Sequence, residues 1–160
     1  MNIRRAIPAD HARLAALLEE MERHYRSDSP PQAAADLAAV LVAAPAAGPH
    51  ALVAEGDGGE LLGFAICNEF VPAGALSKGL YLKDIFIGAA GRSQGTGRVL
   101  LDHVARLARE RGCTRVNWTT GATNLGAQKL YDAIGARREA KIHYVVEGTL
   151  LDEMAARAKR

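Results

Sequence analysis

One stretch, Leu80 to Leu101 (LYLKDIFIGAAGRSQGTGRVLL), constrains the chain more than any other. Its first half is an apolar, branched run broken by a single charged pair, Lys83-Asp84. Its second half, Arg92-Ser93-Gln94-Gly95-Thr96-Gly97-Arg98, passes at once into an apolar pattern of helical period. The order is strand, glycine loop, helix start. A helix start carries backbone N–H groups without intrahelical acceptors, and the aligned peptide dipoles put partial positive charge there. Glycines let an anion approach those amides and permit φ > 0. Flanked by Arg92 and Arg98, the loop suits a phosphate group; the plainer alternative is a solvent-exposed glycine-rich turn.

The spacing narrows the choice. A dinucleotide fingerprint needs G-x-G-x-x-G, but Gly95-Thr96-Gly97 is followed by Arg98-Val99-Leu100. A nucleotide-hydrolase loop needs G-x-x-x-x-G-K-[ST]; counting from Gly91 puts Thr96 at the second glycine, with no Lys-Ser or Lys-Thr after it. Both patterns fail, and R-x-x-G-x-G directly after a strand is what remains.

A chain of 160 residues fits one domain, 1–160, around a single core. A formal net charge of +2 gives no reason to expect a nucleic-acid surface or a polybasic membrane patch. The basic residues are spread out, with small clusters at Arg137-Arg138 and at the C-terminus. The opening MNIRRAIPADH lacks the apolar core of a secretory signal, and no apolar run approaches spanning length. Two cysteines, Cys67 and Cys113, in apolar settings read as buried free thiols, which points to the cytoplasm. The five histidines show no metal-ligand spacing, so no metal is expected.

Taken in order, the pattern predicts a strand at Asn2 to Ala6 and a helix opened by Pro8-Ala9-Asp10, with Leu14, Leu17, Leu18 and Met21 on one face. That helix ends near His24-Tyr25, before a breaker-rich loop over Ser27 to Pro31. A second helix covers Gln32 to Ala43, stopped by Pro45 and Gly48. Strands at Ala51 to Glu55 and Leu61 to Val71 form a hairpin, and the central strand follows at Leu80 to Ile87. Gly95 to Arg111 is the strongest helix, with Val99, Leu100, Val104, Leu107 and Ala108 inward. Then come a strand at Thr114 to Thr119, a helix from Asn124 to Ile134 closed by Gly135, a strand at Lys141 to Val146, and a helix at Thr149 to Ala158. This order implies a mixed, mostly antiparallel sheet with helices on both faces.

Two motifs carry a resemblance. The loop Arg92 to Gly97 resembles the acetyl-CoA loop of the GNAT family of N-acetyltransferases, and the element order resembles that family's acyl-CoA N-acyltransferase fold along essentially the whole chain. Asn124-Leu-Gly-Ala-Gln-Lys-Leu-Tyr131-Asp-Ala-Ile-Gly135-Ala136 resembles the family signature N-x-x-A-x-x-L-Y-x-x-x-G-A/F. Asn124 can cap its helix, and Tyr131 lies two turns on along the same face. The resemblance implies that Asn124 also bonds the pantetheine arm, that amides of Gln94, Gly95, Thr96, Gly97 and Arg98 hold the pyrophosphate, and that the central strand splays from the next parallel one. Within the family, Tyr-Leu-Lys-Asp-Ile-Phe-Ile87 and the C-terminal Val146 to Ala155 look like the polyamine and thialysine branch, whose central strand reads Y-L-E-D-[LF]-F-V. That branch, and an apolar face of Leu150, Leu151 and Met154, suggest a homodimer.

Here Lys83 replaces the branch's glutamate, and Arg26 stands near where the first helix of the branch tends to carry an acid. A like-charge contact at 4 Å costs about 4 kcal/mol at an effective dielectric near 20. A polycation such as spermidine is therefore disfavoured, and the expected acceptor is a small amine that is monobasic or bears a carboxylate or phosphate. His24 and Tyr25 are candidates for the acceptor wall.

Acetyl transfer needs a neutral amine, whose free pKa is about 10.4. Asp84, a carboxylate in an apolar strand, is the candidate to take its proton through water; alternatively it is a plain ion pair. Backbone N–H groups near Phe86 and Ile87 would stabilise the oxyanion, and Tyr131 would protonate the leaving thiolate, or else serve as a core aromatic. Trp118 reads as core, and His143 as a strand residue without a role. The expectation is an acetyl-CoA-dependent enzyme with direct transfer. A non-catalytic acyl-CoA-binding regulator and a protein lysine or N-terminal acetyltransferase are the alternatives.

Overall fold

The computed structural model describes residues 1–27, 29–43, 46 and 48–158; Asp28, Pro45 and the C-terminal Lys159-Arg160, each part of an expectation above, lie outside them. Residues Met1–Gly121 and Ala122–Arg160 each form a compact unit.

The first unit is organised on a five-stranded sheet in the order β1 to β5, comprising β1 (Asn2–Arg5), β2 (His50–Glu55), β3 (Leu61–Phe70), β4 (Gly79–Ile87) and β5 (Arg115–Asn117). β1 through β4 are antiparallel neighbours, and β5 joins β4 in parallel. The mixed, mostly antiparallel sheet expected from the sequence is what forms. A one-turn 3₁₀ segment at Pro8–Asp10 leads into α1 (His11–Tyr25), and α2 (Ala33–Val42) follows.

Leu14, Leu17 and Leu18 of α1 and Leu41 and Val42 of α2 pack on one sheet face against Val53, Phe64, Ile66 and Phe86. The opposite side is covered by α3 (Thr96–Glu110), which packs on β2, β3 and β4. Its buried residues Leu100, Leu101, Val104, Leu107 and Ala108 recur at helical spacing. Leu101 is buried where Val99 was expected, a shift of part of a turn in the inward face. Each fully buried leucine contributes about 1.5–3 kcal/mol. Both cysteines are buried and free, and burial pushes the Cys67 thiol up to about 12.

The first unit is stapled at one sheet edge by charge. Asp10, fully buried, accepts from Arg4 Nη1 and Nη2 at 2.6 and 2.9 Å and from Arg13 Nη2 at 2.6 Å. Glu55 accepts from the same Arg4 at 2.9 Å, so β1, the start of α1 and β2 share one network.

The second unit contains α4 (Leu125–Ala133) and α5 (Gly148–Arg157). The strand expected over Lys141 to Val146 does not form: residues 136–147 carry no regular element. Ile142, Val145 and Val146 give the segment β-propensity, but a strand exists only by hydrogen-bonding to a neighbour, and none pairs with it among the described residues. His143, expected on that strand, is exposed in this segment. The strand expected over Thr114 to Thr119 shrinks to Arg115–Asn117, which leaves Trp118 half-buried beyond its end. Among the described residues no helix is long and apolar enough to cross a membrane.

Candidate functional site

β4 delivers the chain to the glycine loop. Its parallel ladder with β5 pairs only Gly79 to Tyr81 with Arg115 to Asn117, yet β4 continues to Ile87. β5 is paired along its whole length and ends at Asn117, so among the described residues the β5-side edge of β4 over Leu82 to Ile87 has no ladder partner. A strand edge of this kind presents N–H and C=O groups ready for an extended ligand.

A bulge in β4 decides which side chains meet that opening. Leu82 pairs with Cys67 and Asp84 with Ile66, so Lys83 is the extra residue between them. Ile66 and Phe86 belong to the core beneath α1 and α2, which puts Asp84 on that face, whereas Leu82 points the other way. Asp84 is about one-third exposed, with side-chain exposure 34%, so it does not bear the full burial cost that the sequence suggested. Lys83, extruded by the bulge, holds its ammonium 3.7 Å from the Asp84 carboxylate. The end of α1 closes over the same face: the His24 ring lies 6.0 Å from Phe86, and Tyr25 packs edge-on against His24 at 5.0 Å. Tyr81, for which the sequence alone predicts no role, belongs here too. It pairs with Asn68, the second residue past Ile66, and its hydroxyl reaches Thr119 Oγ1 at 3.2 Å.

Past Ile87 a one-turn 3₁₀ segment, Ala89–Gly91, opens the loop, and Gly95 starts α3 with φ 76°. A left-handed N-cap of this kind favours glycine. The Arg98 and Val99 amides both donate to the Gly95 carbonyl, at 3.0 and 3.2 Å. Arg98's amide thus has an acceptor inside the first helical turn, shared with Val99. The amides of Gln94, Gly95, Thr96 and Gly97 precede that first helical bond.

Thr96 contributes differently from its neighbours. Its buried hydroxyl donates to the Gly91 carbonyl at 2.9 Å, holding the two ends of the loop together. Gln94 Nε2 donates to the Ala90 carbonyl at 2.6 Å. Arg92 and Arg98 are each about half-exposed at the mouth; Arg92 Nε donates to the Ile87 carbonyl at 3.3 Å, and Arg98 pairs with Asp102 at 3.2 Å. The arrangement sets helix-head amides beside two guanidinium groups, a charge pattern that suits an anion such as a phosphate.

In the second unit, Asn124 caps α4 as its sequence predicts: its Oδ1 accepts from the Ala127 amide at 3.2 Å. Tyr131 lies on α4 and is half-buried.

Comparison with known proteins agrees with the geometry. Residues 13–136 match the acetyltransferase (GNAT) family. The aminoglycoside N(6')-acetyltransferase type 1 of Serratia marcescens is 29% identical over 141 residues, covering 84% of this chain and 93% of that protein. L-ornithine N5-acetyltransferase of Arabidopsis thaliana is 33% identical over 75 residues, 47% of this chain, and the match spans only 33% of that protein. Among solved structures, an integron cassette protein from V. cholerae superposes with TM-score 0.80 at 32% identity, covering 96% of both chains. An aminoglycoside N-acetyltransferase solved with CoA shares the fold at TM-score 0.76 and 20% identity, covering 91% of this chain and 93% of its own. The chain belongs to the acetyltransferase (GNAT) family and is an acyltransferase enzyme of that family.

Proposed function

We propose that the chain, working as one domain, moves the acetyl group of acetyl-CoA directly to a primary amine of a small molecule bearing a carboxylate or other anionic group. The helix head between Arg92 and Arg98 suits the coenzyme's diphosphate, and the unpaired edge of β4 suits its extended pantetheine arm. Asp84, on the face closed by His24 and Tyr25, relays the amine proton through water. The amine nitrogen then attacks the thioester carbonyl, the oxyanion is met by β4 amides near Phe86 and Ile87, and the C–S bond breaks. Tyr131 gives its proton to the departing thiolate, and Asn124 steadies the pantetheine; both roles rest on the family signature.

The observation that carries the acceptor class is Lys83, an exposed ammonium 3.7 Å from the Asp84 carboxylate. The named relatives act on both kinds of amine, ornithine with its carboxylate and the polycationic aminoglycosides. A cation at the bulge favours the first kind, because it attracts a carboxylate and repels a polyamine. A homodimer, from the branch resemblance and the apolar residues Leu150, Leu151 and Met154, and a cytoplasmic setting, from the two free thiols, belong to the same reading.

The test is thiol release from acetyl-CoA with a panel of amines, with and without carboxylates, for the parent and Tyr131→Phe. Turnover confined to carboxylate-bearing amines, with kcat lowered about a hundredfold in the variant, is the expected result. No turnover with any amine would instead support a coenzyme-binding regulator, and unchanged kcat in Tyr131→Phe would remove that residue as the acid.

A further inference from the structure

Glu20 lies on α1 and reaches the turn that launches the glycine loop. Its Oε1 accepts a hydrogen bond from the Ala89 N–H at 2.8 Å and lies 3.8 Å from Arg92 Nη2. The two contacts bracket the one-turn segment Ala89–Gly91, one at its first amide and one just past its last residue. The approach is close. A Cβ on Gly88 would come within 2.7 Å of Leu17 Cδ2 and 3.0 Å of Glu20 Oε2, so glycine is the residue that lets α1 sit against the turn. Leu17 and Leu18, buried in the core, fix the helix from which Glu20 projects.

A carboxylate beside an anion-binding loop opposes the anion by simple Coulomb repulsion. Its presence needs a compensating service, and the magnitudes say which. A half-exposed ion pair such as Glu20–Arg92 is screened by water and contributes little. A hydrogen bond to a charged acceptor, such as Ala89 to Glu20, is stronger than that. The amide contact dominates, so Glu20 serves to fix the backbone and does little to mask Arg92.

We propose that Glu20 is a positioning residue for diphosphate binding: it clamps the Gly88–Arg92 turn so that Arg92 and the amides after it stand in place before the coenzyme arrives. The proposal rests on the acetyl-CoA reading of the loop. Glu20 touches neither coenzyme nor acceptor; it acts through Ala89.

Three variants and two donors test it. Glu20→Ala removes the acceptor, and Glu20→Gln keeps an amide oxygen that can still receive the Ala89 N–H. Ala89→Pro removes the donor from the other side, at the first position of a helical turn where proline is tolerated and after a residue already extended. CoA binding is measured by calorimetry, and steady-state rates are compared for acetyl-CoA and for S-acetylpantetheine, which lacks the diphosphate. Glu20→Ala and Ala89→Pro are expected to weaken CoA and raise KM for acetyl-CoA about tenfold with kcat held, while Glu20→Gln stays within about threefold. For S-acetylpantetheine kcat/KM is expected to be unchanged. Equal or tighter CoA binding in Glu20→Ala, or equal loss with both donors, overturns the proposal. A parent that does not bind CoA overturns the reading beneath it, a distinct result.

Discussion

Asp84 lies opposite Ile66 in the β3–β4 ladder, although Leu82, two residues earlier, lies opposite Cys67. In a regular strand residues two apart share a face. The bulged Lys83 breaks that rule once, so Leu82 is buried on one side of the sheet while Asp84 and Phe86 turn to the other. A single extra residue thereby sets both the exposed Lys83 cation and the face on which the Asp84 carboxylate lies.

Reversing the charge at the bulge should reverse acceptor choice. In Lys83→Glu, kcat/KM for a carboxylate-bearing amine is expected to fall about tenfold and that for spermidine to rise by a similar factor. Competition assays with both amines in one vessel read the ratio directly. An unchanged ratio would take Lys83 out of the acceptor site.

Loop closure through Thr96 should be measurable as stability. Thr96→Val preserves shape but leaves the buried Gly91 carbonyl without its donor, a loss of about 1–3 kcal/mol in urea unfolding. Thr96→Ser restores the hydroxyl and should recover most of it. A loss in Thr96→Ser with none in Thr96→Val would mean that packing of the methyl, not the hydrogen bond, holds the loop.

Wherever local chemistry fixed the outcome, the sequence was readable. The glycine loop announced itself because a helix head after a strand needs few residues to specify it; Asn124 caps its helix as expected, while Gly95, expected as the first helical residue, stands one position earlier as the cap. The bulge was not legible: Lys83-Asp84 looks like any charged pair until the β3 register is known. Glu20 was hidden for a similar reason. It sits in the acidic run Glu19-Glu20-Met21-Glu22, and only its spacing of three from Leu17 hints that it turns inward. Lys141 to Val146 failed in the other direction, since β-branched composition only favours a strand and pairing is what makes one.

The cap on α4 gives a separate handle on the family signature. Asn124→Ala removes the bond to the Ala127 amide and should cost about 0.5–2 kcal/mol of helix stability. Asn124→Ser can still cap. If Asn124 also steadies the pantetheine, the serine variant should recover thermal stability while KM for acetyl-CoA stays raised; recovery of both would reduce Asn124 to a cap.

Acid should unfold this protein in a window set by two carboxylates. The Arg111 hydrogen bond, followed by that of Lys78, pulls Glu69 down to about 2 from an ordinary 4.5. The Arg4 guanidinium holds Asp10 below its ordinary 3.8. In both cases the unfolded chain takes up protons first as pH falls, so the stability they contribute is present above the ordinary carboxylate range and is lost on the way down towards pH 2. His50 has the same sign: burial lowers its pKa from 6.5, so the unfolded chain protonates it first and the decline begins below that value. Urea unfolding between pH 7 and pH 2.5 should show the parent steepening below pH 4.5. Glu69→Gln should be less stable at pH 7 yet flatter below pH 4.5, because its missing carboxylate has nothing left to protonate. Asp10→Asn, which strands Arg4 and Arg13, should lose about 3 kcal/mol at pH 7. A Glu69→Gln curve parallel to the parent's across the acid limb would show that other carboxylates set the window.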